Sequence, residues 1–226
     1  MRDGLLKRSP ENGLTLWRSS GSRAICGMRY IARWKGGVER PGYIAVMFEN
    51  IKADFAAHGR SWGAQGFWAM LVYRFGRWRY GVRPAILRKA CSLLYKVLFK
   101  LVQILTGIEL PCEAEVGRGF VIDHFGGIIV SGYARFGDNC RIRNGVTVGL
   151  RRVEEPAAPR LGNNVDVGAG AKLLGPITIG DNVVIGANAV VITDVPANSI
   201  AIGVPATVRP RREAAVRDAA AQDLAS

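Results

Sequence analysis

The sequence predicts a β-helix of stacked six-residue repeats behind a helical segment, and three observations predict it. Six aliphatic residues, Leu161, Val167, Leu173, Ile179, Ile185 and Val191, stand at an unbroken spacing of six. Glycine follows four of them directly, at Gly162, Gly168, Gly180 and Gly186. Upstream, apolar residues recur at helical spacing instead. A period of six fits neither the 3.6 of a helix nor the simple alternation of an isolated strand. It is the sequence form of a hexapeptide β-helix, in which each repeat lays down one flat face of a triangular prism.

Residues 1–46 carry nine Lys/Arg against three acids and show no sustained periodicity, which reads as a poorly ordered basic leader. An alternative reading starts the native protein at Met47, where helical patterning begins. The start, MRDGLLKRSPENG, lacks a continuous apolar core, so no signal peptide is expected. Residues 47–107 form the helical N-terminal domain. Phe48, Ile51 and Phe55, then Phe67, Leu71 and Phe75, recur at helical spacing, and Gly81 and Pro84 end that run. Residues 85–106 form the clearest helix, with Ile86, Ala90, Leu93, Leu94, Val97, Leu101 and Leu105 on one face and Gly107 as its stop.

Residues 60–108 hold nine basic residues and no acid, interleaved with aromatics such as Trp62, Trp68, Tyr73, Trp78 and Tyr95. Two readings compete there. One is a cap whose apolar face packs on the first coil or on a partner subunit. The other is peripheral association with an anionic membrane surface.

The β-helix is expected over residues 108–210. An early register, Val116, Ile122 and Ile128, slips by two and resumes at Phe136, Ile142 and Val148. The segment LRRVEEPAAPR then separates Val148 from Leu161, and a prism tolerates such an insertion only at a corner. Asp181-Asn182 and Ala187-Asn188 fall at turn positions. Residues 211–226 read as a polar, Ala-rich tail.

The net charge of +13 lies upstream of the repeats, since residues 109–226 carry twelve basic residues against thirteen acids. No nucleic-acid motif accompanies the basic stretch, so no nucleic-acid partner is expected. Cys26, Cys91, Cys112 and Cys140 are widely spaced with no CxxC pair, which reads as free thiols in a reducing, cytoplasmic compartment. With only His58 and His124, and no Cys cluster, no metal site is expected.

The chemistry-bearing segment is IELPCEAEVGRGFVIDHFGGIIVSGYA, residues 108–134. His124 is the single histidine of the repeat region, and it follows Asp123 and precedes Gly126-Gly127. Histidine is the usual general base near neutral pH, and a carboxylate on its other nitrogen fixes its tautomer. Asp123 and Glu109 are the candidate carboxylates.

Residues 47–210 resemble the serine acetyltransferase family of hexapeptide acyltransferases. The resemblance rests on FENIKADF, GIEL, VGRGFVIDH, NGVTVG, LGNNVDVGAGAKLLGPITIGDNVVIGANAVV and DVPANSIAIGVPA. It implies a left-handed parallel β-helix and a homotrimer, open to pairing into a hexamer. It also implies acetyl-CoA as co-substrate, lying in the groove between adjacent prisms. His124 matches the family's catalytic base, Glu109 the position of its dyad aspartate, and Asp123 an acceptor-binding aspartate. Ala169, Gly170 and Ala187 match turns lining the CoA groove. Gly203 and Pro205 of GVPA match the loop that closes it, with Arg209 just beyond as a further cofactor contact.

The departures bear on the acceptor. The dyad aspartate is replaced by the longer Glu109. Ala157-Ala158 stand where the family's Arg-His pair grips the serine carboxylate, leaving Arg151, Arg152 or Arg160 to compensate. The family's glycine pair after VT is Gly149-Leu150 here. These departures and the basic aromatic segment favour a sugar hydroxyl in exopolysaccharide synthesis at the inner face of the membrane. Two alternatives stand beside that expectation: serine O-acetyltransferase in cysteine synthesis, and a non-catalytic β-helix scaffold.

Overall fold

The computed structural model describes residues 43–211. The basic leader up to residue 42 and the tail beyond residue 211 lie outside the described residues. Three helices come first: α1 (Tyr43–Ala57), α2 (Gln65–Trp78) and α3 (Ala85–Thr106). Helix α1 begins four residues before Met47, so the helical domain starts slightly upstream of the boundary expected from patterning. A 3₁₀ turn, Arg79–Gly81, ends α2 near Gly81 and Pro84. Helix α3 has the bounds the sequence predicts, and Gly107 closes it in the left-handed conformation, φ 65°, donating its N–H to Gln103.

Five coils of parallel β-structure follow. The first holds β1 (Ile108–Glu109), β2 (Glu115–Val116) and β3 (Val121–Asp123). The second holds β4 (Ile128–Val130), β5 (Arg135–Phe136) and β6 (Arg141–Arg143). The third holds β7 (Thr147–Gly149), β8 (Arg160–Leu161) and β9 (Asp166–Val167), and the fourth β10 (Lys172–Leu174), β11 (Thr178–Ile179) and β12 (Val184–Ile185). The last holds β13 (Val190–Val191), a bridge at Val195 and β14 (Ser199–Ile202), before β15 (Thr207–Pro210) turns back antiparallel on β14.

Three faces result, ordered β1-β4-β7-β10-β13, β2-β5-β8-β11 and β3-β6-β9-β12-β14-β15. We call them the first, second and third faces. The spacing of six is the distance from one face to the next, and three steps bring the chain back above itself. Accordingly Leu161 pairs with Ile179, Val167 with Ile185 and Leu173 with Val191. These six side chains are at most 5% exposed and fill the prism.

Both interruptions of the register have a location. Ile122 stacks beneath Ile142 and Val130 beneath Val148, so the two extra residues lie in the corner between β3 and β4, which carries His124. The longer insertion leaves at the corner between β7 and β8, since Val148 and Leu161 close the strands on either side.

Other corners are secured by stacked polar side chains. Asn164 donates from Nδ2 to Asn182, and Asn182 to Asn198, each at 3.0 Å. All three adopt the left-handed backbone that Asn tolerates.

The helices are fixed to the first coil by a buried polar network. Asp54 is fully buried and accepts from Arg74 Nε at 2.8 Å and from the Phe120 N–H at 3.3 Å. Arg74 also donates to the carbonyls of Val116, at 2.9 Å, and Gly117. The hydroxyl of Tyr73 donates to Ala114 at 2.8 Å and accepts from the Val116 N–H at 3.0 Å. Gly66 on α2 lies against β3, where any Cβ would overlap the carbonyl oxygen of Ile122.

One expectation for α3 is corrected. The aliphatic face does not pack on the first coil: Ile86, Leu93, Leu94, Val97, Leu101 and Leu105 are all at least 49% exposed. The opposite face docks instead, through buried Tyr95 and Thr106 with Leu98, Phe99 and Val102. Tyr95 reaches the Cys112 N–H with its hydroxyl oxygen at 3.0 Å and stacks on Phe99 at 5.7 Å.

Candidate active site

His124 opens the corner between the third and first faces. Its backbone is left-handed, φ 64°, a conformation that costs a non-glycine residue energy and clusters at functional positions. The next three residues complete a wide turn, with Gly126 at φ 101° and Gly127 at φ 66°. This turn rests directly on the end of α3, since the Gly126 N–H donates to Thr106 at 2.8 Å and the Ile128 N–H to Gly107 at 3.1 Å. The imidazole is exposed beside Phe125, itself 55% exposed. An imidazole open to solvent at an edge is accessible to a ligand lying along that edge.

The same corner recurs in every coil, and it gathers the residues expected to hold CoA. Gly145 donates to Gly126 at 2.9 Å, Gly170 to Asn144 at 2.9 Å and Asn188 to Ala169 at 2.8 Å. Ala169, Gly170 and Ala187 therefore stand in one column above His124. Coils repeat at about 4.8 Å, which puts Ala169 roughly 10 Å and Ala187 roughly 14 Å along the edge from His124. Val190 donates to Gly203 at 3.0 Å and Ala206 to Val190 at 2.9 Å, so the Gly203–Ala206 turn, including Pro205, closes the top of the column. Arg209 is exposed on β15, paired in register with Ile200. Small residues along a straight edge leave room for an extended ligand.

The two candidate carboxylates flank this corner from opposite faces, and each has its own partner. Glu109 lies on the first face, level with Ile129, and accepts from Gln103 Nε2 on α3 at 2.8 Å. Asp123, directly before His124, is held by Arg141 across the β3–β6 ladder. Neither carboxylate is hydrogen-bonded to His124. One coil higher, Arg143 pairs with Asp166, and that hydrogen bond raises the guanidinium's pKa further and keeps it cationic. Lys172 on the first face donates to the Gly145 carbonyl at 2.6 Å and to Thr147 at 3.1 Å.

Arg151 and Arg160 lie elsewhere within one chain. Arg151 is in the inserted loop and Arg160 opens β8, so both belong to the corner between the first and second faces. Ala158, at the position of the family's histidine, is buried, and Ala157 is half-buried. A single chain thus carries His124 on one edge and the inserted loop on another.

Sequence reasoning did not single out Gln103, Arg141 or His58. The Nε2 of His58 accepts the N–H of Ile122, and its Nδ1 faces the Asp54 carbonyl. Only helix and sheet docking brings these groups to the site, so no local motif announces them. Among the described residues, no three His, Cys, Asp or Glu side chains cluster as a metal site would require, and no helix is long and apolar enough to cross a membrane.

Comparison with known proteins agrees with this architecture. Residues 158–193 match the family described as bacterial transferase hexapeptide (six repeats). The chain is 40% identical over 139 residues to a serine acetyltransferase of Helicobacter pylori (strain ATCC 700392 / 26695), covering 61% of this chain and 77% of that one. It is also 40% identical over 144 residues to the serine acetyltransferase of Synechococcus elongatus, covering 63% of this chain but only 56% of the longer relative. An Escherichia coli (strain K12) protein carrying the name colanic acid biosynthesis acetyltransferase WcaB is 32% identical over 168 residues, with 72% of this chain and 98% of that one covered. Among solved structures, the serine acetyltransferase of Brucella abortus superposes with a TM-score of 0.62 at 27% identity, over 75% of this chain and 70% of that one. The Neisseria gonorrhoeae serine acetyltransferase in complex with serine gives 0.62 at 28% identity, over 73% and 69%.

Proposed function

The chain belongs to the serine acetyltransferase family of hexapeptide-repeat acyltransferases, and from that premise we propose that it transfers an acetyl group from acetyl-CoA to an acceptor hydroxyl. The observation that carries the proposal is the single edge on which His124 stands beneath Ala169, Gly170, Ala187 and the Gly203–Ala206 turn. In this reading His124 takes the proton of the acceptor hydroxyl as its oxygen attacks the thioester carbonyl. Corner amides stabilise the oxyanion of the tetrahedral intermediate. The C–S bond then breaks, and the departing thiolate recovers the proton from the imidazolium. General-base assistance of this kind contributes roughly 10²–10⁴-fold. Glu109 or Asp123 orients the ring and stabilises its charge once substrates draw one of them from its present partner. Ala169, Gly170, Ala187, Gly203, Pro205 and Arg209 line the path of CoA, and three chains associate so that neighbouring prisms complete the groove.

The relatives' names favour L-serine as acceptor, ahead of the sugar hydroxyl that the sequence departures suggest. A glycan hydroxyl stands as the second reading because of two observations. Ala157-Ala158 offer no charged clamp for a carboxylate. The match to WcaB also runs over almost the whole of that protein, helices included by its length. In the serine reading, Arg151 or Arg160 of a neighbouring chain grips the carboxylate.

An acceptor screen with acetyl-CoA, read by thiol release, tests the proposal. Turnover with L-serine supports the first acceptor, and turnover with sugar acceptors alone supports the second. Absence of CoA binding together with absence of thiol release would leave a scaffold and overturn the catalytic reading. His124→Ala should abolish transfer while the helical and β signals of the circular dichroism spectrum stay unchanged.

A further inference from the structure

Helix α3 presents an aliphatic strip to solvent, bordered along one side by lysines. Ile86 is 86% exposed, Leu93 67%, Ile104 71% and Leu105 75%, with Val97 and Leu101 between them at 49% each. At 100° per residue these side chains span an arc of about 120°. Lys89, Lys96 and Lys100 fall within about 40° of one another along one border of that arc. Among the described residues none of the three is ion-paired; Lys100 donates to the neutral Gln103 at 2.6 Å. The strip lies opposite the docked face, so among the described residues α3 is anchored by one side and exposed on the other.

We infer that this strip is a docking surface for an anionic lipid bilayer, with α3 lying in the plane of the interface. The observation that selects this occupant is charge. Residues 60–108 contain nine basic residues and no acid, so the border of the strip is uniformly cationic. A second copy meeting it antiparallel would set lysine row against lysine row, and a parallel one would leave both rows without an acidic partner, whereas phosphate headgroups complement them. The helix runs about 33 Å, long enough to bury its leucines at headgroup depth while the lysines stay level with the phosphates. The inference is independent of the acceptor and of catalysis.

Co-sedimentation of the full chain with vesicles tests it. The chain should pellet with mixed phosphatidylcholine–phosphatidylglycerol vesicles and stay in solution with phosphatidylcholine alone. The triple variant Lys89→Gln/Lys96→Gln/Lys100→Gln should bind the mixed vesicles about a hundredfold more weakly, roughly fivefold per charge. Ile104→Ser/Leu105→Ser should also lose binding. No binding to either vesicle, equal binding to both, or unchanged binding by the lysine variant would overturn the inference. So would a serine variant that keeps vesicle binding but falls to a smaller oligomer in sedimentation equilibrium, since the strip would then be covered by another copy of the chain.

Discussion

The ring of His58 accepts the backbone N–H of Ile122 at Nε2, 3.2 Å away, while its Nδ1 lies 2.7 Å from the Asp54 carbonyl. Only the neutral tautomer with hydrogen on Nδ1 satisfies both contacts. A side chain on the tail of α1 therefore holds strand β3 two residues before His124.

His58→Ala should strip the Ile122 amide of its acceptor. Hydrogen exchange at that amide should accelerate, and stability should fall by about 1 kcal/mol in urea denaturation. His58→Gln, which can present an oxygen near the Nε2 position, should restore part of the loss. Unchanged Ile122 protection in the alanine variant would show that the contact carries no weight.

The buried Asp54–Arg74 pair should be far more sensitive than any ion pair on the prism surface. Asp54→Ala leaves a guanidinium that is buried with it, and should cost about 3–5 kcal/mol. Replacing the half-exposed Glu115, which pairs with Arg135, should cost less than about 1 kcal/mol. Equal losses in the two variants, measured by denaturant midpoint, would contradict the network described for the first coil.

Glu109 and Asp123 compete for the role of orienting His124, and kinetics can separate them. If Glu109 orients the ring, Glu109→Gln should lower kcat about ten- to a hundredfold with little change in KM, the loss of one charge-assisted hydrogen bond. The acid limb of the pH–rate profile should move as well. Gln103→Ala, which frees the same carboxylate, should leave turnover at or above the parent level. A Glu109→Gln enzyme with parental kcat would pass the role to Asp123.

The buried thiols should resist modification. Burial pushes the Cys140 pKa up to about 11 and raises that of Cys112, so both stay protonated near neutrality. Alkylation at mildly alkaline pH should label half-exposed Cys91 and spare Cys112 and Cys140 until the chain unfolds. Because the folded-state pKa of Cys140 is raised above 9.0, its contribution to stability is full below about pH 9 and fades as pH rises through about 11. Cys140→Ala should flatten that part of the pH–stability curve.

How much of this could be read from the chain depends on the range of the interaction. The step of six recovered all three faces because each repeat is a local unit with one inward aliphatic. The bounds of α3 followed from equally local cues, a helical run ended by Gly107. The slip of two residues was visible too, and it resolves into the enlarged corner at His124. The direction in which α3 turns its aliphatic strip was not legible. Amphipathic spacing reports that two faces differ, not which one meets the protein, and Tyr95 and Phe99 make the docked side here. The partners of the two carboxylates were hidden for another reason. Arg141 reaches Asp123 only because one full coil brings them side by side, and Gln103 reaches Glu109 only across the helix stop.

The reversal at β15 carries a consequence for the molecule's length. The open end of a parallel solenoid is a template, with unpaired amides and carbonyls waiting for one more rung. On the third face that rung arrives running the wrong way, paired Ser199 to Pro210 and Ile202 to Thr207. It ends in a proline, which has no amide to donate. A further coil could not repeat the parallel ladder on that face, because its outermost described strand, the four residues of β15, runs against it.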